Sequence, residues 1–369
     1  MRSEPLSSAI AQCGERSVPA AAETDGASLA GAAICVIIVS YGRPDDIGRC
    51  LASLARSSRT DFAVFICENA GAAAFRELCA IFAGVDGLLE PREERSELDR
   101  RGGRLTEVAN YRLKGNGVPV RIGAAIENLG YGGGVNAWLE RLIGEPGWQA
   151  LLVLNPDTEV AETCLSELMA KSAEGYDMVG ATLVFDDAPA AVVSYGLIWS
   201  RFSGRVIAAG RNAPAGSEPG IRLLARLDSV SGACMLVTRA FVEDVGLMAE
   251  DYFLYMEDVD WGMRRGRHRI GVAARAVVRH VGGTTIGSHI DLQRRSPLSI
   301  YLMARNAVLF SRRHLGPWWI VHLVTELLYV MRYLLSGAPA AARLAIAGVR
   351  DGIRGETGRP ACFDRPRDG

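Results

Sequence analysis

Two short apolar runs constrain the fold more than any other feature of this sequence. Ile34 to Val39 ends at Ser40-Tyr41-Gly42-Arg43-Pro44, and Phe62 to Cys67 ends at Glu68-Asn69-Ala70-Gly71. Both are continuous rather than alternating, the pattern of a strand covered on both faces. Between them Ile47, Leu51 and Leu54 recur at helical spacing, with Asp45 or Asp46 placed to cap a helix reaching about Ser57. A second helical stretch follows over residues 72–82. Strand, helix, strand, helix predicts an α/β fold, a doubly wound and mostly parallel sheet with helices on both faces. Ligands of such sheets bind beyond the carboxyl ends of the strands, where Tyr41-Gly42 and Glu68-Asn69 lie.

The rhythm breaks over residues 86–121. Their Glu90-Pro91-Arg92-Glu93-Glu94-Arg95 and Asp99-Arg100-Arg101 read as a solvated polar insertion with one helix. It resumes with a Gly-rich loop at 130–134 feeding a helix to about Ile143, then the apolar strand Leu151 to Leu154. A helix over 161–173, a strand over 177–184 and looser β-rich sequence to about Val237 follow. Gly271 to His280 forms a last apolar strand. A composition of 49% hydrophobic and 22% charged residues in 369 suffices for a sizeable core. With 41 basic against 42 acidic residues, the chain lacks the strongly basic surface on which many nucleic-acid binders rely. None of the eight cysteines forms a CxxC pair, which predicts buried, reduced thiols in a cytoplasmic protein. The expected organisation is a disordered tail over 1–31, a catalytic domain over 32–312, a helical region over 313–358 and a tail over 359–369.

Four segments carry chemistry. The glycines at 130, 132, 133 and 134 allow backbone N–H groups to approach a phosphate ahead of a helix N-terminus; a plain turn is the alternative. Asn155-Pro156-Asp157 sets a carboxylate at a strand end, suited to a divalent cation on a diphosphate or, more simply, to a capping turn. Glu257-Asp258-Val259-Asp260 crowds three carboxylates between Met256 and Trp261. These either supply a general base or favour a helix N-terminus. His280, at a strand end, completes a metal site with Asp157 or serves structure alone.

Taken in order, Val36-Ile37-Ile38-Val39-Ser40-Tyr41, Asn128-Leu129-Gly130 through Asn136, Leu154-Asn155-Pro156-Asp157 and Tyr255-Met256-Glu257-Asp258-Val259-Asp260 with His280 resemble the family-2 glycosyltransferases of the GT-A fold. Within that family they are similar to bacterial rhamnosyltransferase-like enzymes of polysaccharide biosynthesis, over about residues 34–312. The resemblance implies an inverting, metal-dependent transfer from a nucleotide-diphosphate sugar, with rhamnose as the expected sugar. The acceptor would be a hydroxyl of a glycan or lipid-linked glycan. Ser40, Tyr41, Glu68 and Asn69 would hold the nucleoside, although the family usually has Asp where this chain has Glu68. Asn128, Gly130 and Asn136 would line the donor pocket. Asp157 would hold Mg²⁺ or Mn²⁺ with His280, while Asn155 stands where the family often has a first acid. Asp258 would be the base, Glu257 its neighbour, and Gly232 and Ala233 would flank the acceptor. A non-catalytic nucleotide- or carbohydrate-binding protein and a sugar nucleotidyltransferase are the alternatives.

Residues 316–337 are nearly long enough to span a bilayer. His322, Thr325, Glu326, Tyr329 and Arg332 nevertheless fall on one helical stripe opposite a broad apolar face. A second helix is expected from Pro339 to about Arg354. The pair is expected either to lie on the inner leaflet of a bacterial inner membrane, with Trp318 and Trp319 at the interface, or to pack on the catalytic domain or a homodimer seam.

Overall fold

The computed structural model describes residues 29, 31–92, 103–185, 188–280 and 295–363. The expected opening alternation is present as β1 (Ile34–Ser40), α1 (Pro44–Ala55), β2 (Phe62–Glu68) and α2 (Ala72–Ala83). Pro44 starts α1, so Asp45 and Asp46 lie inside its first turn rather than at the cap. Asp46 instead pairs with Arg43 at 3.1 Å. There follow β3 (Leu89–Arg92), β4 (Leu105–Leu113), β5 (Pro119–Ala125), α3 (Gly130–Leu142), β6 (Ala150–Leu154), β7 (Thr158–Val160), α4 (Cys164–Ala173) and β8 (Met178–Phe185). Next are β9 (Val192–Ser194), β10 (Gly196–Trp199), β11 (Val206–Ala209), α5 (Ile221–Leu224), β12 (Cys234–Thr238), α6 (Arg239–Val245), α7 (Glu257–Met263) and β13 (Ile270–His280). The chain closes with α8 (Pro297–Leu315), α9 (Ile320–Leu335) and α10 (Pro339–Arg354).

Among the described residues the main sheet runs β3-β4-β5-β2-β1-β6-β12-β8-β13-β7, with β9 beside β8. Its centre, β5-β2-β1-β6, is parallel. β12 enters antiparallel between β6 and β8, and β13 is parallel to β8. Side chains along β1 alternate between two cores. Ile34, Val36 and Ile38 meet α1, α2 and α4, whereas Cys35, Ile37 and Val39 meet α3, α6 and Trp261. Each fully buried aliphatic side chain there contributes about 1.5–3 kcal/mol, which explains why β1 reads as an unbroken apolar run. Register sets the site: Ser40 sits opposite Glu68, and Ile38 opposite Leu154, so the ends of β1, β2 and β6 open on one side.

The polar insertion expected over 86–121 is corrected. Its described residues include β3, β4 and the start of β5, with β4 hydrogen-bonded to β5 and Leu105, Tyr111, Leu113, Val118 and Val120 buried. Charged residues on the outer face of this edge hid the inner apolar set. Residues 1–28, 30 and 364–369 of the two expected tails lie outside the described residues, whereas Leu29 packs into the core. Cys35, Cys50, Cys67, Cys79, Cys164 and Cys234 are free thiols. Burial pushes Cys35 and Cys50 up to about 12, so both are inert packing groups.

The C-terminal helices form at the expected places with an unexpected orientation. The stripe of α9 that carries His322 and Glu326 faces the protein, and both residues are buried. His322 bonds the Ser311 hydroxyl through Nδ1 at 2.6 Å and the Arg201 carbonyl through Nε2 at 2.8 Å. Glu326 pairs with Arg205 at 2.7 Å, and the Arg205 guanidinium lies 3.7 Å from the centre of the Tyr329 ring. Packing through polar groups leaves the apolar face of α9 pointing outward.

Candidate active site

A cavity of about 910 Å³ opens where the ends of β1, β2 and β6 meet the segment before α7. Ser40, Tyr41, Asn69, Asn128, Gly130, Asn155 and Asp157 line one end; Gly232, Ala233, Glu257 and Asp258 line the other, with His280 also in the wall. Two expected donor residues are absent from that lining. Asn136 is fully buried and spent on bracing: it donates to the Met248 carbonyl at 2.9 Å and to Glu250 at 2.7 Å, and accepts from the Met248 N–H at 3.1 Å. Glu68 is buried below the cleft, where Oε1 accepts from the N–H groups of Gly42 (3.0 Å) and Ala70 (2.8 Å). It fixes the two loops that end β1 and β2.

The Gly-rich stretch is not a loop. It forms the first turns of α3, and its glycines answer to packing. Gly130 has φ +73°, and a Cβ there would lie 2.1 Å from the Phe253 carbonyl oxygen. At Gly134 a Cβ would meet Val39 at 2.7 Å and the Asn69 amide at 3.1 Å. Asn69 in turn donates to the Gly130 carbonyl at 2.8 Å. These small residues draw α3 onto the ends of β1 and β2 and so shape that end of the cleft.

Asp157 and His280 come together through strand pairing. The turn after β6 is closed by the Thr158 hydroxyl donating to the Asn155 carbonyl at 2.6 Å. β7 then runs antiparallel to β13, with Thr158 opposite His280. The outcome is His280 Nε2 at 3.3 Å from Asp157 Oδ1. Among the described residues no three His, Cys, Asp or Glu side chains are grouped so as to hold a metal ion, and this pair offers a cation two protein groups. Such a number suits Mg²⁺ or Mn²⁺ when phosphate and water supply the other oxygens.

Glu257 and Asp258 open α7. Asp258 is half-buried in the cleft wall and accepts from the Gly232 N–H at Oδ2 (3.0 Å) and the Val259 N–H at Oδ1 (2.8 Å). Burial raises its carboxyl above the usual range, and the two N–H donors oppose that rise. Glu257 is buried, and its Oε2 has no hydrogen-bond partner among the described residues. Burial first, then the Asp258 charge, push it up to about 8. Burial thus raises both adjacent carboxyls, while the backbone N–H donors favour the ionised form of Asp258.

No family model matches the chain. Over 250 residues it is 23% identical to the low-salt glycan biosynthesis hexosyltransferase Agl10 of Haloferax volcanii, covering 63% of this chain and 75% of that protein. Over 225 residues it is 28% identical to an N-acetylglucosaminyl-diphospho-decaprenol L-rhamnosyltransferase of Mycobacterium tuberculosis, covering 52% of this chain and 66% of the relative. The fold is similar to that of S. aureus TarS 1–349 in complex with UDP-GlcNAc, with a TM-score of 0.50, 15% identity, and 88% and 81% of the two chains covered. The fold is thus that of a GT-A-type protein, and both curated relatives are themselves glycosyltransferases.

One part of the cleft was missed in the sequence. Phe253, Tyr255 and Met256 all have positive φ, at +63°, +71° and +80°. Each such residue costs on the order of 1–3 kcal/mol and persists only where its surroundings hold it. Here α8 holds it. Asn306 donates to the carbonyls of Tyr252 (3.0 Å), Leu254 (2.7 Å) and Tyr255 (3.1 Å), while Arg305 donates to Tyr252 at 2.8 Å. Behind α7, Asp260 accepts from Arg264 (2.7 Å), His314 (2.9 Å) and Arg313 (3.3 Å). Burial alone would raise Asp260; hydrogen bonds from His314 and Arg264 and the charges of Arg264 and Arg313 bring it down to about 2. From the Gly-rich stretch, Tyr131 reaches across the cleft to donate to the Gly232 carbonyl at 2.7 Å. Asn306 and Arg305 lie in the helical segment after the last motif, and only their polarity inside an apolar helix could have drawn notice.

Proposed function

We propose that this chain is an inverting transferase that moves a sugar from a nucleotide-diphosphate donor to a hydroxyl of a glycan or lipid-linked glycan. The observation that carries this reading is Asp258, fixed by two backbone N–H groups in the wall of a cleft whose other end is built on parallel-strand ends. The nucleoside rests against Ser40, Tyr41 and Asn69, and the diphosphate points toward Asp157 and His280. Asp157 and His280 would hold a divalent cation, which when bound offsets charge on the leaving diphosphate. Asp258 takes the proton from the acceptor hydroxyl as its oxygen attacks the anomeric carbon from the face opposite the diphosphate, and configuration inverts. Glu257, held neutral, adds no second negative charge beside the forming bond and leaves Asp258 as the base. Gly232 and Ala233 border the acceptor. Rhamnose is favoured as the sugar by the 28% identical rhamnosyltransferase, and its acceptor supports a lipid-linked glycan. Free buried thiols fit a reducing, cytoplasmic setting.

Incubation of labelled nucleotide sugars with the protein and a bacterial lipid extract tests this. Transfer of label into lipid by the wild type, and its loss in Asp258→Asn, are expected. Near-normal transfer by Asp258→Asn would defeat the assignment of the base and point to Glu257.

A further inference from the structure

The outer face of α9 has no counterpart elsewhere on the described surface. Ile320, Val321, Val324, Leu327, Leu328, Met331, Leu334 and Leu335 are between 44% and 83% exposed, and Trp318 at the preceding turn is 74% exposed. Monomeric soluble proteins seldom expose an apolar patch of this extent without a partner. The helix is also anchored by its polar side, so the apolar side cannot turn inward without breaking the buried Arg205–Glu326 pair and the bonds of His322. Between residues 316 and 350 the sole acid is Glu326, and it is buried. Arg332 on α9 and Arg343 on α10 are both exposed and without an ion-pair partner among the described residues.

We propose that this face docks the protein onto an anionic lipid bilayer. Charge decides the occupant: two copies meeting face to face would bring like-charged arginines together, whereas anionic headgroups neutralise them. Length decides the mode. Residues 297–335 together are long and apolar enough to cross a membrane, but α8 is packed in the folded domain through Ile300, Leu302 and Phe310; the 16 residues of α9 alone span about 24 Å, short of the ~30 Å hydrocarbon core, and its inward side is tied to that domain. The helix therefore lies in the interface with Trp318 at the headgroup level. Tyr329 of α9 and Arg205 also line the cleft, so docking sets the acceptor end of the site beside the membrane. That last placement rests on the transferase reading above; the docking does not.

Flotation of the full chain with vesicles of phosphatidylcholine, with and without phosphatidylglycerol, tests the proposal. Wild type is expected to float with the mixed vesicles and less with the neutral ones. Val324→Glu/Leu328→Glu is expected to abolish flotation with both. Arg332→Gln/Arg343→Gln is expected to weaken binding to the mixed vesicles roughly five-fold per arginine, and added salt should mimic it. Melting temperature and its rise with nucleoside diphosphate, measured on each variant, keep folding and donor binding separate from docking. Loss of the nucleotide response would count against the transferase reading alone. Failure of wild type to float with mixed vesicles, or flotation of the glutamate variant as wild type, would overturn the docking. A non-floating wild-type dimer that Val324→Glu/Leu328→Glu converts to monomer would overturn it too, in favour of a second copy.

Discussion

The two ends of the cleft are built by different means. At the proposed donor end the side chains stand at strand ends, held by a parallel pairing in which Ser40 faces Glu68 and an antiparallel one in which Thr158 faces His280. The proposed acceptor end rests on a loop with three positive-φ side-chain residues, kept in place by Asn306 and Arg305 from a helix some 50 residues downstream. Regular strand ends are cheap to form and rigid without help. An irregular loop must be over-determined by its surroundings, and the cost of its strain is met by α8. The C-terminal helices are thus part of the site as well as its outer surface.

Several substitutions would break or sharpen this contrast. Asp258→Asn should lower kcat about 10²–10⁴-fold with nucleotide affinity unchanged, because it alters only the acceptor end; steady-state kinetics and titration would separate the two. Gly130→Ala places a methyl against the Phe253 carbonyl at positive φ. It should cost about 1–3 kcal/mol from overpacking plus roughly 1–2 kcal/mol from the left-handed backbone, read by denaturant unfolding. Asn306→Ala strands the carbonyls of Leu254 and Tyr255 and should cost about 1–3 kcal/mol, with turnover falling and the nucleotide response retained. If Asn306→Ala instead removed nucleotide binding and spared turnover, the division of labour would be wrong.

Two pH effects are smaller. Asp258 must be ionised to act, and burial raises its carboxyl, so kcat/KM should rise with pH through a value above the ordinary aspartate range. Asp260 is the reverse case, its carboxyl depressed from 3.8 to about 2. Its contribution to stability is fully present above 3.8 and is lost as pH falls toward 2, on the order of 2 kcal/mol. Acid unfolding followed in wild type and Asp260→Asn would show the difference, with the variant less stable near neutrality and flatter below pH 4.

Much of the donor end was legible because apolar runs and the turns that end them are local. The strands at 34, 62 and 150 and the positions of Ser40, Asn69 and Asp157 follow from the residues beside them. Asn136 and Glu68 misled because a polar residue next to a site looks the same whether it faces the cleft or braces its wall. At residues 130–134 small size serves the close approach of α3 to β1, and no local signal distinguishes that use from the approach of a phosphate or from a plain turn. The strained loop was invisible for the opposite reason, since its partners lie far along the chain. In α9 periodicity showed the two faces correctly, and only the tertiary position of Arg205 and Ser311 revealed that the polar one points inward.

Thermal shift with UDP, dTDP, GDP and CDP, each in Mn²⁺, Mg²⁺ or EDTA, would probe the division between donor and acceptor ends in wild type, Asp258→Asn and Asp157→Ala. A ligand that binds only the native state raises its melting temperature. One nucleotide should stabilise wild type and Asp258→Asn alike, lose its effect in EDTA, and fail with Asp157→Ala. No response to any nucleotide, or a response that Asp258→Asn abolishes and Asp157→Ala preserves, would contradict a donor site carried by the strand ends.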